Sequence, residues 1–349
     1  MGTEKNELTV SNISKLRCLV CQSDSVKKIY SNYPGYVAGT SFDIMKCNNC
    51  NTQFILAPST PAELYNAIYS LECIPGYDRY KRYAKSIPLE KEPLKFLSGQ
   101  EFAYYAVYMY LKDKKEEVKS ILEVGSGLGY LTYALNKSGY QTLGIDISEV
   151  SVKNSIDLFG DYYKPISLQK LSEQSQQKFD LIIATELIEH VDDPYEFISE
   201  CLPLLNEKGV VLLTTPYYYN VNKIWETDLP PIHRFWFSEK SFQSISQRLK
   251  LEARFIFPDK GCFDFNHSNL LANYINDRFV SNKLPTPILT NDLRGCVRSN
   301  YTNYNSNIFM SVMKKFATFK PVRYFSNKFY LKVINEQPKC FAIILKINL

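Results

Sequence analysis

Residues 121–129 read ILEVGSGLG, a short apolar run that leads directly into three glycines at alternate positions. The apolar run predicts a β-strand, and the spacing of apolar residues over 128–138 predicts a helix. Glycine lets a backbone turn sharply and approach a ligand closely, because no Cβ stands in the way. A glycine-rich turn in this strand-to-helix context therefore predicts a ligand-binding loop in an α/β domain.

Outward from this stretch, short apolar runs alternate with helical patterns. Strands are predicted at 142–146, 179–184, 210–215, 249–257 and 340–347, and helices at 148–159 and 194–205. Strands that alternate with helices indicate βαβ units and a parallel sheet. About 80 residues separate the last two predicted strands, which is too long for a bare loop. We therefore expect an inserted subdomain or lid there.

Asp146 follows Gly129 by 17 residues and ends the second predicted strand of this sheet. A carboxylate at this position can accept hydrogen bonds from both ribose hydroxyls of an adenosine. Glu123 lies inside the turn motif, where it would repel a pyrophosphate and attract an ammonium group. A cationic amino-acid ligand thus fits better than NAD(P), although a glycine turn without any ligand is the alternative.

Composition excludes several classes of protein. The chain has 349 residues, of which 45% are hydrophobic and 22% charged, which is ordinary for a folded protein and excludes wholesale disorder. It has no apolar run of the roughly 18 residues that a membrane-spanning helix needs, and its first residues lack the apolar segment of a secretory signal. We therefore expect a cytoplasmic protein. The net charge of +5 does not by itself indicate nucleic acid binding.

The nine cysteines are unevenly placed, and without an export signal a disulfide framework is not expected. Cys18 with Cys21, and Cys47 with Cys50, form two C-x-x-C pairs, which predict a tetrahedral zinc site with four thiolate ligands. Such a site has no open coordination position, so the zinc is expected to be structural. Four buried free thiols are one alternative. A nucleic-acid-binding ribbon is another, but residues 16–56 contain no long basic run.

Two histidines and two carboxylates follow the next two predicted strands. Glu186, Glu189 and His190 follow the strand at 179–184, and His233 follows the strand at 210–215. If residues 186–190 are helical, their offsets place these side chains on one face, at the sheet edge where ligands bind. Together they predict either a Mg²⁺ or Mn²⁺ site or a general base at His190 or His233. A purely structural role is the alternative.

The order of these motifs resembles class I S-adenosylmethionine (SAM) methyltransferases. The resemblance rests on the glycine turn, Asp146, and the stretches FDLII at 179–183, ELIEHVDDP at 186–194 and KGVVLLTTP at 208–216. It implies a Rossmann-like seven-stranded α/β sheet whose last strand runs antiparallel beside the sixth, with SAM as cofactor. The cofactor-binding residues that we predict are Glu123, Gly125, Gly127, Gly129, Asp146 and Glu186. Residues 169–171 are expected near the adenine, although the acidic residue common there is missing.

Two narrower resemblances bear on the acceptor. Glu186, Glu189, His190 and His233 are arranged as in the metal-assisted 2′-O-methyltransferases of small-RNA ends and the ubiquinone-pathway O-methyltransferases. Two cysteine pairs ahead of this core resemble bacterial methyltransferases of sugar and glycan biosynthesis, including deoxysugar C-methyltransferases. Those C-methyltransferases carry a further large domain after the core, whereas this sequence stops at the last strand. We therefore expect methylation of oxygen in a sugar or glycan precursor, with His190, His233 and Glu189 as catalytic residues.

The predicted organisation has five segments. They are a zinc-ribbon-like unit (1–60), a helical linker region (61–118), the methyltransferase core (119–260), a basic insert or lid (261–338) and the last core strand (339–349). Residues 293–335 contain eight Lys or Arg and no Asp or Glu, which favours an anionic acceptor that is nucleotide-, phosphate- or lipid-linked. Contact with a membrane surface is a further possibility. An RNA-end 2′-O-methyltransferase and a non-catalytic SAM-fold binding protein are the alternatives.

Overall fold

The computed structural model describes residues 16–74, 77–217, 228–257, 284–297 and 340–347. The insert predicted at 261–338 lies outside the described residues except for 284–297, and so does most of its basic stretch. Within the described part of the chain, no helix is long and apolar enough to cross a membrane.

A seven-stranded sheet forms the centre of the molecule. Its strands are β4 (Ser120–Val124), β5 (Gln141–Asp146), β6 (Tyr163–Pro165), β7 (Phe179–Thr185), β8 (Leu205–Pro216), β10 (Leu251–Ile256) and β11 (Cys340–Ile347). The spatial order is β10-β11-β8-β7-β4-β5-β6, with the pairs from β8 to β6 parallel. β11 runs antiparallel to both β10 and β8. The predicted α/β class and the antiparallel last strand are confirmed.

Helices cover both faces of this sheet because neighbouring residues of its buried strands point in opposite directions. Ile121 and Leu181 pack with one helical layer, whereas Leu122 and Ile182 pack with the other. The first layer contains α3 (Pro93–Ser98), α4 (Phe102–Asp113), α5 (Tyr130–Lys137) and α6 (Glu149–Phe159). The second contains α7 (Leu168–Gln174), α8 (Pro194–Cys201) and α9 (Glu239–Leu249). Two further helices, α1 (Ala62–Ser70) and α2 (Tyr77–Ser86), precede this core.

The sequence analysis missed β6, α7 and α9, and it misjudged two boundaries, since β8 begins at Leu205 and not at 210. β6 and α7 have three and seven residues, too few for a periodic pattern to stand out. The helix predicted at 194–205 ends at Cys201 and continues as the 3₁₀ turn Leu202–Leu204, where Pro203 cannot donate a backbone hydrogen bond.

A second sheet joins the N-terminal residues to the core. Its strands are β1 (Val26–Pro34), β2 (Ser41–Cys47), β3 (Gln53–Ile55) and β9 (Phe235–Trp236), in that order and antiparallel. Phe54 pairs with Phe235, and both side chains are buried in the same apolar core as the helices α8 and α9. The N-terminal unit therefore shares a sheet and an apolar core with the rest of the described chain.

The structure has one disulfide, where the sequence analysis expected no disulfide framework. Cys73 and Cys296 are bonded, with their Cα atoms 6.0 Å apart and a sequence separation of 223. Leu289 also forms a bridge with Val37, which holds the described part of the insert against the N-terminal unit. Cysteine spacing could not reveal this pair, because only the tertiary fold brings residues so distant in sequence together.

Candidate active site

A cavity of about 840 Å³ opens at the carboxyl ends of β4, β5 and β7. Parallel sheets of this kind hold ligands at this edge, where the turns that follow the strands converge. Of the nine residues that the sequence marked for cofactor binding or catalysis, eight line the cavity: Glu123, Gly125, Gly127, Asp146, Glu186, Glu189, His190 and His233. The ninth, Gly129, precedes the first residue of α5.

The glycine turn and Asp146 form one hydrogen-bonded unit. Gly125, Gly127 and Gly129 all have positive φ, at 74°, 50° and 78°. Asp146 Oδ2 accepts a hydrogen bond from the Gly127 backbone N–H at 2.9 Å, and Oδ1 accepts one from the Ser148 N–H at 2.9 Å. Each carboxylate oxygen has a second lone pair, so Asp146 can hold the turn and still accept from a ligand hydroxyl.

Glu123 lies beneath this turn as a buried carboxyl group. Its side chain is 3% exposed, and the Thr132 hydroxyl donates a hydrogen bond to it. Burial raises the pKa of Glu123 to about 8, because the carboxylate loses the water that would stabilise it. A cationic ligand beside this carboxyl group would stabilise its charged form and would be bound by it in return.

The segment 186–190 is a turn and not a helix, so the helical condition under which its side chains would share one face is not met. Glu186 has a φ of 49°, which breaks helical geometry at its first residue, and the next helix begins only at Pro194. The Glu186 carboxylate accepts a hydrogen bond from the Cys340 thiol at 3.2 Å. The ligand atoms of Glu189, His190 and His233 all lie within 4.8 Å of one another, and Glu186 is not part of that group. The predicted four-residue metal set is thereby reduced to three.

His190 and His233 face each other, with ring centroids 4.6 Å apart at an angle of 82°. His190 Nδ1 lies 2.7 Å from the Ile232 carbonyl oxygen, so this nitrogen carries the proton and Nε2 keeps its lone pair. Burial lowers the pKa of both imidazoles, and the neighbouring His190 lowers that of His233 further. Both rings are therefore neutral at pH 7, and each keeps a lone pair on one nitrogen.

Glu189 supports the imidazole pair from the buried side. Its carboxyl group is 1% exposed and accepts a hydrogen bond from the Thr215 hydroxyl at 2.9 Å. Burial, with the neighbouring Glu186, raises the pKa of Glu189 well above its usual range. Among the described residues, the buried His233 Nδ1 has no hydrogen-bond partner. An acceptor hydroxyl or a divalent cation would satisfy that nitrogen.

The four paired cysteines form a second site, outside the cavity. The Sγ atoms of Cys18 and Cys50 are 3.6 Å apart and those of Cys21 and Cys47 are 3.5 Å apart, and all four lie within 4.8 Å. A tetrahedral zinc with bonds of about 2.3 Å places its sulfurs about 3.8 Å apart, so the set fits this ion. The hydrogen bond from Cys18 lowers the pKa of Cys50 to about 5.

Two matching turns present these thiols. In each pair, a backbone N–H just after the second cysteine donates to the carbonyl of the first: Gln22 to Cys18 at 2.8 Å and Asn51 to Cys47 at 3.1 Å. Gln22 and Asn51 both have positive φ, at 62° and 61°. The repeated geometry aims the two thiols of each pair at a common centre, as the C-x-x-C spacing predicted.

Tyrosines line the cavity to an extent that sequence reasoning did not foresee. Seven contribute to the wall: Tyr36, Tyr65, Tyr69, Tyr77, Tyr80, Tyr104 and Tyr130. The only local signal is their helical spacing, at four residues for Tyr65 and Tyr69 in α1 and three for Tyr77 and Tyr80 in α2. Their phenolic groups and ring faces can bind hydroxyl groups and C–H surfaces.

The described wall is acidic. Seven lining residues carry carboxyl groups: Glu123, Asp146, Glu186, Glu189, Asp192, Glu200 and Asp228. Among the described lining residues, Arg79 supplies the single Arg or Lys side chain, and its Nε lies 2.7 Å from the Glu101 carboxylate. Burial raises the pKa of Glu123, Glu186 and Glu189, so these carboxyl groups are not all charged at pH 7, and the wall favours hydroxylated ligands and a cation that promotes their ionisation over a phosphate group.

Comparison with known proteins places this site in a recognised domain. Residues 100–254 match a family model described as a methyltransferase domain. The ubiquinone biosynthesis O-methyltransferase of Caulobacter vibrioides is 30% identical over 101 residues, which covers 28% of this chain and 40% of that protein. The mitochondrial protein of the same name from Homo sapiens is 30% identical over 147 residues, covering 40% of this chain and 38% of that protein. The chain thus spans about two fifths of the length of these curated relatives.

Among solved structures, a SAM-dependent methyltransferase from Archaeoglobus fulgidus is similar with a TM-score of 0.41 and 14% identity. The match covers 69% of this chain and 93% of that one. The segment matched by the family model contains the glycine turn, Asp146 and both cavity histidines. It is a methyltransferase domain, and the predicted class of enzyme is confirmed.

Proposed function

We propose that this chain, which contains a methyltransferase domain at residues 100–254, transfers a methyl group from SAM to a hydroxyl oxygen of a sugar or glycan precursor. One observation carries the proposal. A single cavity holds the glycine turn with Asp146 on one side and a pair of neutral imidazoles on the other. This arrangement supports an adenosine-bearing donor and a proton acceptor that meet in one cavity, as methyl transfer to oxygen requires.

The donor side binds SAM through backbone approach and buried charge. The positive φ of Gly125 and Gly127 leaves room for the methionine part of the donor. Asp146 accepts from the ribose hydroxyls, and Glu123 attracts the ammonium group. SAM supplies a methyl group on a positively charged sulfur, which suits the acidic wall of the cavity.

The acceptor side removes a proton. The bond from the acceptor oxygen to the methyl carbon forms as the sulfur–carbon bond breaks, and S-adenosylhomocysteine is the second product. The hydroxyl proton passes to Nε2 of His190, which lies 3.7 Å from a Glu189 carboxylate oxygen, or to His233. The Ile232 carbonyl holds the His190 ring in place through Nδ1, and the two rings pack edge to face.

The character of the wall supports a hydroxylated acceptor. Tyrosine rings stack on sugar faces, and carboxyl groups accept hydrogen bonds from sugar hydroxyls. The described wall offers a phosphate or nucleotide attached to the sugar little to bind, because its one Arg or Lys side chain, Arg79, is paired with Glu101. Residues 293–335, which carry eight Lys or Arg, are the part of the sequence whose charge suits such a group.

An aromatic hydroxyl is the second candidate acceptor. The relatives are named for O-methyl transfer in ubiquinone biosynthesis, and a cavity walled by seven tyrosines can pack against a flat ring. A turnover screen that sets sugar nucleotides and free sugars against catechol distinguishes the two acceptors. Methylation of catechol alone would replace the sugar proposal.

A divalent cation fits the three residues Glu189, His190 and His233. Two imidazole nitrogens with one carboxylate oxygen suit Mn²⁺ better than Mg²⁺, which prefers oxygen ligands. When bound, the ion would lower the pKa of a coordinated hydroxyl. Turnover after chelation, followed by addition of Mn²⁺ or Mg²⁺, tests this part. Unchanged turnover in a chelator would leave the histidines to act alone.

The variant His233→Ala tests the proposal as a whole. We expect it to abolish turnover and to leave SAM affinity within about twofold of wild type, because His233 lies on the acceptor side. Isothermal calorimetry measures the affinity. An unchanged kcat would remove His233 from the mechanism, and no SAM binding by the wild type at millimolar ligand would favour a non-catalytic binding protein. RNA binding with a steep salt dependence would favour the RNA-end methyltransferase.

A further inference from the structure

The segment that carries His233 is held on one side by the N-terminal unit. The Tyr36 backbone N–H donates to the Pro230 carbonyl at 2.6 Å, and the Thr60 hydroxyl donates to the Pro231 carbonyl at 2.8 Å. The Ile55 N–H donates to the carbonyl of Arg234 at 3.1 Å. These bonds lie on both sides of His233 in the sequence, so the N-terminal unit limits movement of the backbone at that position.

On its other side, the same segment is bonded to the turn that carries Glu189 and His190. The N–H groups of Arg234 and Phe235 donate to the Glu189 carbonyl at 2.9 and 3.2 Å. His190 Nδ1 donates to the Ile232 carbonyl at 2.7 Å. His233 thus lies on a strip of backbone between the two parts of the molecule, and its distance from His190 depends on both.

Arg234, a buried residue that is 6% exposed, contacts both the N-terminal unit and the chain just after the turn at 186–190. It donates to the carbonyls of Pro58 and Ala57 in the N-terminal unit at 2.8 and 2.9 Å. Its Nε lies 3.3 Å from an Asp192 carboxylate oxygen, just beyond the turn. The planar guanidinium holds the two carbonyls in fixed directions, which a flexible ammonium cannot do, and its contact with Asp192 is an ion pair in which Nε makes no hydrogen bond.

We propose that Arg234 is a positioning residue, which fixes His233 against His190 by clamping the 228–236 segment between the N-terminal unit and the turn at 186–190. This inference rests on the proposed methyl transfer and assigns a role to a residue that does not line the cavity. The clamp acts on the acceptor end of the site. It leaves the glycine turn and Asp146 untouched.

The clamp also connects the four-cysteine unit to the acceptor end. Ser238, two residues after β9, donates to the Cys50 carbonyl at 3.1 Å, and the Thr52 hydroxyl donates to that of Ser241 at 2.8 Å. β3, which follows the second cysteine pair, pairs with β9 just after His233. The cysteine unit is therefore a support for one wall of the active site.

Arg248 provides a matched control. Its guanidinium also donates to two carbonyls of the N-terminal unit, those of Leu19 and Val20 at 2.9 and 2.7 Å, and it stacks on Tyr195. It is remote in sequence from His233 and does not line the cavity. If these arginines only dock the N-terminal unit, replacing either one should have the same effect.

The experiment compares Arg234→Met, Arg234→Lys and Arg248→Met in the full chain. For Arg234→Met we expect a fall in kcat of about tenfold or more, with the Kd for SAM within about twofold of wild type. Arg234→Lys keeps the charge beside Asp192 and should recover part of the activity. Arg248→Met should lower the melting temperature and leave kcat near the wild-type value.

A second readout does not depend on any acceptor. The chain has three histidines, so the ring signals of His233 can be identified in a nitrogen-15 spectrum by their loss in His233→Ala. At one fixed pH, Arg234→Met and Arg234→Lys should shift these signals, and Arg248→Met should not. Equal effects of the Arg234 and Arg248 variants, or an unmoved His233 signal in both Arg234 variants, would overturn the clamp. Absent turnover in the wild type would overturn the proposed function instead.

Discussion

At the residue scale, the buried carboxyl group of Glu123 lowers the stability of the folded chain and is available to bind a cationic ligand. Its pKa is about 8 in the folded chain and 4.5 ordinarily, so between these values the folded state binds more protons than the unfolded state. The stability of the folded chain therefore falls as the pH rises through this window. We expect Glu123→Gln to raise the melting temperature at pH 7.5 by about 2 °C or more. Differential scanning calorimetry of the ligand-free protein measures this.

The same substitution should weaken SAM binding by about tenfold, because Gln cannot supply a charge to the ammonium group. At pH 7 the wild type should release a proton as SAM binds, since the cation favours the ionised carboxylate. Calorimetry in buffers of different ionisation enthalpy detects that proton. Equal affinity and equal proton release in the two proteins would show that Glu123 does not contact the ligand.

Gly129 must be glycine because its φ is positive and also because there is no space for a Cβ. A Cβ at this position would lie 2.6 Å from Ser155 Oγ and 2.7 Å from Ser155 Cβ. Gly139 also has a positive φ, of 94°, but nothing lies within 4 Å of its added Cβ. Both Ala variants bear the left-handed backbone cost of about 1–2 kcal/mol, and only Gly129→Ala adds a clash. We expect Gly129→Ala to be less stable than Gly139→Ala in urea unfolding and to lose SAM binding. Similar unfolding curves for the two variants would contradict this.

At the element scale, the two cysteine turns hold together strands too small to fold without help. β1 to β3 lie in a unit where four thiols share one centre, so metal binding contributes directly to its folding. We expect one zinc per chain by elemental mass spectrometry and its loss in Cys50→Ser. Cys201→Ser, at a buried cysteine outside the cluster, should keep the metal. Zinc retained by Cys50→Ser would refute the assignment.

At the scale of the whole molecule, the Cys73–Cys296 disulfide ties the described part of the insert to the loop after α1. A cross-link over 223 residues restricts the unfolded chain strongly, and bonds of this kind contribute about 2–4 kcal/mol. We expect Cys296→Ser to lower the melting temperature and a phosphine reductant, which does not compete for zinc as a dithiol does, to bring the wild type to the same value. A reductant that lowers both proteins equally would indicate that the two thiols are not joined.

The sequence alone determined the parts of this protein that depend on local pattern. Alternation of apolar runs and helical stretches predicted the parallel sheet, because strand and helix periodicities differ. The glycines at 125–129 and the carboxylate of Asp146 were identifiable from residue type and spacing. The two C-x-x-C pairs likewise predicted one four-thiol centre, since each pair forms its own turn.

Only the tertiary structure showed which residues from distant parts of the sequence contact these motifs. The wall of tyrosines, the pairing of β9 with β3 and the Cys73–Cys296 bond all join residues far apart in sequence. Residues 186–190 have a helical spacing of polar residues but form a turn, because Glu186 takes a left-handed conformation. A sequence periodicity does not indicate such a conformation. Local interactions set the elements, whereas the distances between side chains on different elements depend on how those elements pack.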